Sequence, residues 1–186
     1  MFRPLPFAAL LYTALAAFAN PVAAGDLEAL RVGDMKKFVV ARDGQPVEGR
    51  FTRADGSETG FDEMRGQVLV VNFWATWCAP CKLEMPSLNA LDAALEDEGL
   101  NVVAIASGRN TLPQIEAFND EAGIDRLEVF LDPRSNVLRG AGAFGLPTTI
   151  VLDPEGREIG RLQGEADWAS DEALALMREI LAQSGV

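Results

Sequence analysis

The sequence predicts an α/β domain: a central mixed β-sheet with helices packed on both faces. Two observations carry this. Val68–Trp74 is a run of apolar and β-branched residues with almost no alternation, as a strand covered on both faces requires, and from Pro80 the pattern becomes helical. Counted from that strand, strand and helix patterns alternate three times before a hairpin and a last helix, an order that winds helices across a sheet. In such sheets the ligand crevice lies beyond the carboxyl ends of the parallel strands, so chemistry is expected just after Trp74.

Taken in order, Asp26–Arg31 reads as a short polar helix, and Phe38–Ala41 and Arg50–Arg53 as short edge strands, the second followed by the turn signal Asp55-Gly56. After the buried strand, Leu83, Leu88, Leu91 and Leu95 form an apolar helical stripe that Gly99 closes. Leu100–Ser107 is a second buried strand, Leu112–Ala122 a helix ended by Gly123, Leu127–Leu131 a strand, and Arg134–Ala143 a weak, Gly-broken helix. Thr148–Leu152 and Arg157–Gln163 form a hairpin through Asp153-Pro154-Glu155-Gly156. Ser170 caps a final helix, Asp171–Gln183, with Asp171 and Glu172 well placed in its first turn.

Length and charge exclude several functions. A chain of 186 residues suits one folded domain. With 16 Lys and Arg against 28 Asp and Glu, the net charge is −12 and no basic cluster is present to neutralise phosphates, so nucleic acid is a poor partner. The absence of histidine removes Ser-His-Asp and Cys-His nucleophilic sites and every His-ligated metal site. Proton transfer must then use a carboxylate, a thiol or water.

Residues 1–24 differ from the rest. Arg3 is their only charge, Leu5–Ala19 is almost wholly apolar, and Val22-Ala23-Ala24 offers small residues before Gly25, the pattern of an export signal. The uncharged run from Pro4 to Gly25 also has the length of a membrane span of about 20 residues, so a retained anchor is the alternative. Residues 25–49 read as an N-terminal extension and 50–186 as the domain proper. A periplasmic or otherwise extracytoplasmic protein is expected, either soluble after cleavage or held at the inner membrane. A monomer is expected.

The chain has two cysteines, Cys78 and Cys81, and export places them where thiols oxidise. As a staple, their four-residue loop would restrict the unfolded chain by only roughly 2 kcal/mol in the chain-entropy model, so the spacing suits chemistry better. A structural zinc site wants four Cys or His ligands, and two are available. Cys78 lies where strand gives way to helix, so unpaired backbone N–H groups and the helix dipole favour its thiolate and make it the attacking sulfur. Cys81 comes round onto the same face and can resolve the mixed disulfide. Pro80 suits a first helical turn, where its missing donor would lack an acceptor. Glu84, three residues beyond Cys81, can exchange protons with it if burial raises its pKa. The plainer account is that acids favour first turns for dipole reasons.

Val71-Asn72-Phe73-Trp74-Ala75-Thr76-Trp77-Cys78-Ala79-Pro80-Cys81-Lys82, with Pro86 and Gly145-Leu146-Pro147-Thr148, resembles the thioredoxin superfamily. Asn72, Glu84-Met85-Pro86 and an added strand and helix between residues 111 and 132 resemble the TlpA, ResA and CcmG group of exported disulfide reductases. The likeness covers roughly residues 51–181. It implies a thioredoxin-like fold with an extra strand and helix between the Cys-x-x-Cys helix and the cis-proline loop. It further implies a cis Pro147 facing the cysteines, backbone groups of Leu146 free for an extended partner chain, and Trp77 as docking surface. Trp74 is accounted for equally by shielding the cysteines or by core packing, and Trp168 is read as packing. Asn72 departs from the buried aspartate of cytoplasmic thioredoxins, which shifts proton handling onto Glu84.

The partners implied are protein disulfides and a membrane electron donor of the DsbD/CcdA type, with no cofactor. Gly164–Trp168 and Ser107-Gly108-Arg109-Asn110 favour a TlpA-like substrate, the copper-site cysteines of cytochrome oxidase or its copper chaperone; apocytochrome c is the alternative. A copper-binding module of the Sco type would need cysteines four apart and a histidine. A peroxidase would need Thr where Ala75 stands, and a DsbA-like oxidant a larger helical insertion.

Overall fold

The computed structural model describes residues 24–186, so the signal or anchor expected over residues 1–24 lies, apart from its last position, outside the described residues. A short helix α1 (Ala24–Ala29) precedes β1 (Phe38–Val40), and β2 (Arg50–Arg53) and β3 (Glu58–Gly60) form a hairpin across Asp55-Gly56. The central unit is β4 (Val68–Trp74), α2 (Ala79–Leu95), β5 (Leu100–Ser107), α3 (Leu112–Ala122), β6 (Phe130–Asp132) and α4 (Asn136–Gly140). Strands β7 (Thr148–Leu152) and β8 (Glu158–Gln163) form the closing hairpin and α5 (Asp171–Ser184) ends the chain. All eight strands join one sheet in the order β1-β8-β7-β4-β5-β6-β2-β3.

Strand β4 lies in the middle of this sheet, and the whole of it is buried. It runs parallel to β5, pairing Val68 with Leu100 and Trp74 with Ala106, and antiparallel to β7, pairing Phe73 with Thr148. Because strand side chains alternate, β4 divides its residues between two cores. Val68, Val70 and Trp74 pack with Leu88, Leu91 and Leu95 of α2 and with Leu176, Met177 and Ile180 of α5. Leu69, Val71 and Phe73 pack on the opposite face with Val103, Ile105 and Ile150, under Phe51, Phe130 and Leu138. Each fully buried aliphatic or aromatic chain contributes about 1.5–3 kcal/mol, so both faces add to stability. The parity places Asn72 on the α2 side.

The mixed sheet and its flanking helices are as predicted, and the bounds of β2, β4, β5, α3 and β7 coincide with the sequence reading. Three local readings are corrected and one strand is added. Leu83 is not part of the buried stripe of α2 but is 73% exposed. Five residues separate it from Leu88, a rotation of 500° that leaves it about 140° from the stripe. The strand expected over Leu127–Leu131 begins only at Phe130, where pairing with Ile105 starts; Leu127 is buried without being laddered, and Glu128 turns outward to Arg53. The helix expected over Arg134–Ala143 is shorter because Ser135 has φ 53°, outside helical space. It starts where the Asp132 carboxylate accepts the N–H groups of Asn136, Val137 and Leu138 at 2.8–3.1 Å. Finally, β3 was not foreseen, its three residues being too few for a visible pattern.

The N-terminal stretch contributes directly to the sheet. Strand β1 hydrogen-bonds along β8, from Phe38 opposite Leu162 to Val40 opposite Gly160. Met35 and Phe38 are fully buried in the α2 and α5 core.

Candidate active site

Three loops meet at one end of the sheet. Since β4 and β5 run parallel in register, Ala75–Cys78 after β4 and Gly108–Asn110 after β5 emerge side by side. The antiparallel pairing of Phe73 with Thr148 brings the start of β7, and so Leu146-Pro147, to that same end. The Leu146–Pro147 peptide is cis, and Pro147 is buried. The carboxyl ends of two parallel strands thus face the loop the resemblance singled out.

Cys78 occupies the N-cap of α2 and is joined to Cys81 in a disulfide. Its Sγ accepts the backbone N–H of Cys81 at 3.4 Å, one of the donors a helix start leaves unpaired. Pro80 stands in the first turn, as the sequence predicts. Cys78 is 6% exposed and Cys81 fully buried, so only the first sulfur is open to a partner. Trp77, immediately before it, is 65% exposed, and Phe144, two residues before Leu146, is 87% exposed. Leu83 on α2, two residues after Cys81, is likewise exposed.

Beneath the pair lies a polar network inside the core. Glu84 is 2% exposed, yet its carboxylate has three partners. Asn72 Nδ2 donates to Oε1 at 2.8 Å, while Trp168 Nε1 and the backbone N–H of Ala166 donate to Oε2, each at 3.2 Å. Asn72 Nδ2 also donates to Thr149 Oγ1 at 3.0 Å. Burial disfavours the charged form more than these donors favour it, and Glu84 is pushed up to about 7. Ser87 clamps the same loop to α2: its Oγ donates to Glu84 O at 2.7 Å and accepts the N–H of Trp168 at 3.0 Å. A cleft of about 400 Å³ lined by Asp34, Leu83, Glu165 and Asp167 reaches Glu84 from solvent.

The hydrogen-bonding roles of two residues escaped the sequence reading. Trp168, read there as packing, is fully buried and is also a donor to Glu84. Its distance from Glu84 in sequence hides the contact; the only sign was an indole in a turn between strand and helix. Asn110 is the other. Its Oδ1 accepts both the N–H and the hydroxyl of Thr76, at 2.9 and 3.0 Å, and its Nδ2 donates to Ser107 O. It ties the approach to Cys78 to the end of β5. Trp74 is buried, its ring tilted against Phe118 at 5.5 Å, which fits the core-packing account.

Residues 43–157 match the AhpC/TSA family model, a segment that holds Cys78, Cys81, Glu84 and Pro147. The chain belongs to the AhpC/TSA family. It is 33% identical over 103 residues to the thiol-disulfide oxidoreductase ResA of Geobacillus thermodenitrificans, covering 55% of this chain and 58% of that one. It is 32% identical over 111 residues to the thiol:disulfide interchange protein HelX of Rhodobacter capsulatus, covering 60% of each. The match spans about three-fifths of these relatives' length. A crystal structure from Chlorobium tepidum, assigned as a thiol:disulfide interchange protein DsbE, superposes with a TM-score of 0.64 at 25% identity over 76% of this chain and 97% of that one. The fold is thioredoxin-like, and this AhpC/TSA member groups with ResA-, HelX- and DsbE-type proteins.

Proposed function

We propose that this AhpC/TSA-family chain is an exported thiol:disulfide oxidoreductase that reduces disulfides in other exported proteins. The observation that carries the reading is the Cys78–Cys81 disulfide at the N-terminus of α2, one turn from a buried carboxyl poised near neutrality. In the reduced protein the Cys78 thiolate, held by the Cys81 N–H, attacks one sulfur of the substrate disulfide. A mixed disulfide forms and the first substrate thiolate leaves, taking a proton from solvent. Cys81 then loses its proton to Glu84 and attacks Cys78 Sγ. The second substrate thiolate departs, the Cys78–Cys81 disulfide forms, and two electrons have passed to the substrate. A membrane donor of the DsbD/CcdA type returns them, and Glu84 gives its proton back. Trp77, Pro80, Leu146 and Pro147 form the surface on which the substrate chain lies.

Within this reading the substrate is the cysteine pair of a copper site in respiratory-complex assembly, as in TlpA-like proteins. The segments behind that preference, Ser107–Asn110 and Gly164–Trp168, both contact the site: Asn110 holds Thr76 and Trp168 holds Glu84. Similarity to ResA and HelX supports a second reading, apocytochrome c as substrate. Ala75 where a peroxidase would carry Thr speaks against peroxide reduction.

Cys81→Ser removes the resolving thiol and leaves Cys78 able to attack, so the mixed disulfide should accumulate in exported extracts. Copper-delivery or oxidase copper-site proteins in the trapped species support the first reading and apocytochrome c the second. Equal trapping by Cys78→Ser and Cys81→Ser, or none by the latter, refutes the mechanism.

A further inference from the structure

The chain is acidic overall, yet the surface on one flank of the disulfide is not. Lys82 on α2, Arg109 after β5 and Arg134 after β6 are all exposed, and none forms an ion pair among the described residues. Seven basic side chains elsewhere are tied to acids, as Arg50 is to Asp62 and Glu63, and Arg126 to Asp92, while Lys36, Arg42, Arg65, Arg139 and Arg157 are also outside ion pairs among the described residues but line neither cleft beside Trp77. What sets Lys82, Arg109 and Arg134 apart is that they gather around Trp77. Two clefts share Trp77 and Arg109: one of about 390 Å³ reaches Lys82 and Phe118, with Glu121 its only acid, and one of about 660 Å³ runs past Arg134 and Ser135 with no acid. The other flank of α2 has the opposite sign, since Asp34, Glu165 and Asp167 line the cleft above Glu84. Cys78 directly follows Trp77 in the chain.

We propose that the clefts around Trp77 are the docking surface for an acidic stretch of the substrate, with Asp or Glu residues flanking the attacked cysteine on that side. This rests on the disulfide-exchange reading and adds the partner's chemistry to it. An aromatic face between two cation-lined clefts suits an extended chain, whose backbone lies across the indole while its carboxylates reach Arg109 and Arg134. The net charge of −12 would repel an acidic partner at long range. At physiological ionic strength, however, the Debye length is about 8 Å, so the charges beside the sulfur outweigh those across the molecule. They act chiefly on the association rate.

The test uses the reduced full-length chain and three oxidised peptides sharing one disulfide, with Asp/Glu, Ser or Lys flanks. Stopped-flow exchange is measured at 20 mM and 500 mM salt for the native protein, for Arg109→Glu/Arg134→Glu, and for Arg42→Glu/Arg65→Glu. The last pair makes the same charge change at the opposite end of the sheet, beyond β1 and before β4. The acidic peptide should react about tenfold faster than the basic one at low salt, and several-fold less selectively at high salt. The ratio should collapse or invert in Arg109→Glu/Arg134→Glu and persist in the control. Equal rates for acidic and basic peptides in the native protein, or an acidic preference surviving Arg109→Glu/Arg134→Glu, overturns the proposal while leaving disulfide exchange standing. Failure to reduce any of the three peptides overturns the exchange reading and the proposal with it.

Discussion

Glu84 concentrates the chemistry in one side chain. Its carboxyl is raised from an ordinary 4.5 to about 7 chiefly by burial, against the pull of Asn72, Trp168 and Ala166. Between those two values the folded chain holds a proton that the unfolded chain has released. Stability from this group is therefore greatest below pH 4.5 and falls as pH rises through about 7, by on the order of 3 kcal/mol. Glu84→Gln should flatten that slope in denaturant titrations across the window while keeping the fold, and should slow resolution of the mixed disulfide. Trp168→Phe keeps the apolar bulk but removes a donor to Oε2, so the midpoint of the exchange pH profile should move upward. An unshifted profile would return Trp168 to packing alone. Glu84 was legible from its spacing to Cys81, three residues along one helix. Trp168 was not, because an 84-residue separation between donor and acceptor leaves no periodic trace.

At the scale of elements, the readings succeeded where a residue pattern and a ladder have the same cause. Strands β4 and β5 are buried on both faces, so their apolar runs and their hydrogen-bonded lengths coincide. Helix α3 is bounded by a Thr111 and Gln114 capping box and by Gly123 at φ 68°, both local signals. Readings failed where burial and backbone geometry part company, as at Leu127, buried but unpaired, and at Ser135, apt by composition but left-handed. The loop between β4 and α2 is held by a contact of this hidden kind. Asn110→Ala should leave the Thr76 N–H without its partner, at a cost of about 1 kcal/mol, and loosen the approach to Cys78. Measured by thermal unfolding and exchange rate together, it should lower both; an unchanged rate would confine Asn110 to loop stability.

For the molecule as a whole, topology does what no single motif can. The register of β4 with β5 and β7 sets the N-cap of α2, the Gly108–Asn110 loop and the cis Leu146–Pro147 peptide at one end of the sheet. Composition had narrowed the chemistry to thiols and carboxylates, and the interleaved strands and helices had located it after Trp74. The uneven charge around the disulfide lay beyond both, since Lys82, Arg109 and Arg134 come together only when α2 and the loops after β5 and β6 do. The central claim is that this arrangement makes Cys78 the nucleophile and Cys81 the shielded resolver. Alkylation of the reduced protein with iodoacetamide across pH, read by peptide mass spectrometry, tests it most directly. Cys78 should be labelled first, with an apparent pKa below the free thiol value of ~8.5, and Cys81 far more slowly. Faster labelling of Cys81, or equal rates with an unshifted pKa at Cys78, would contradict the account.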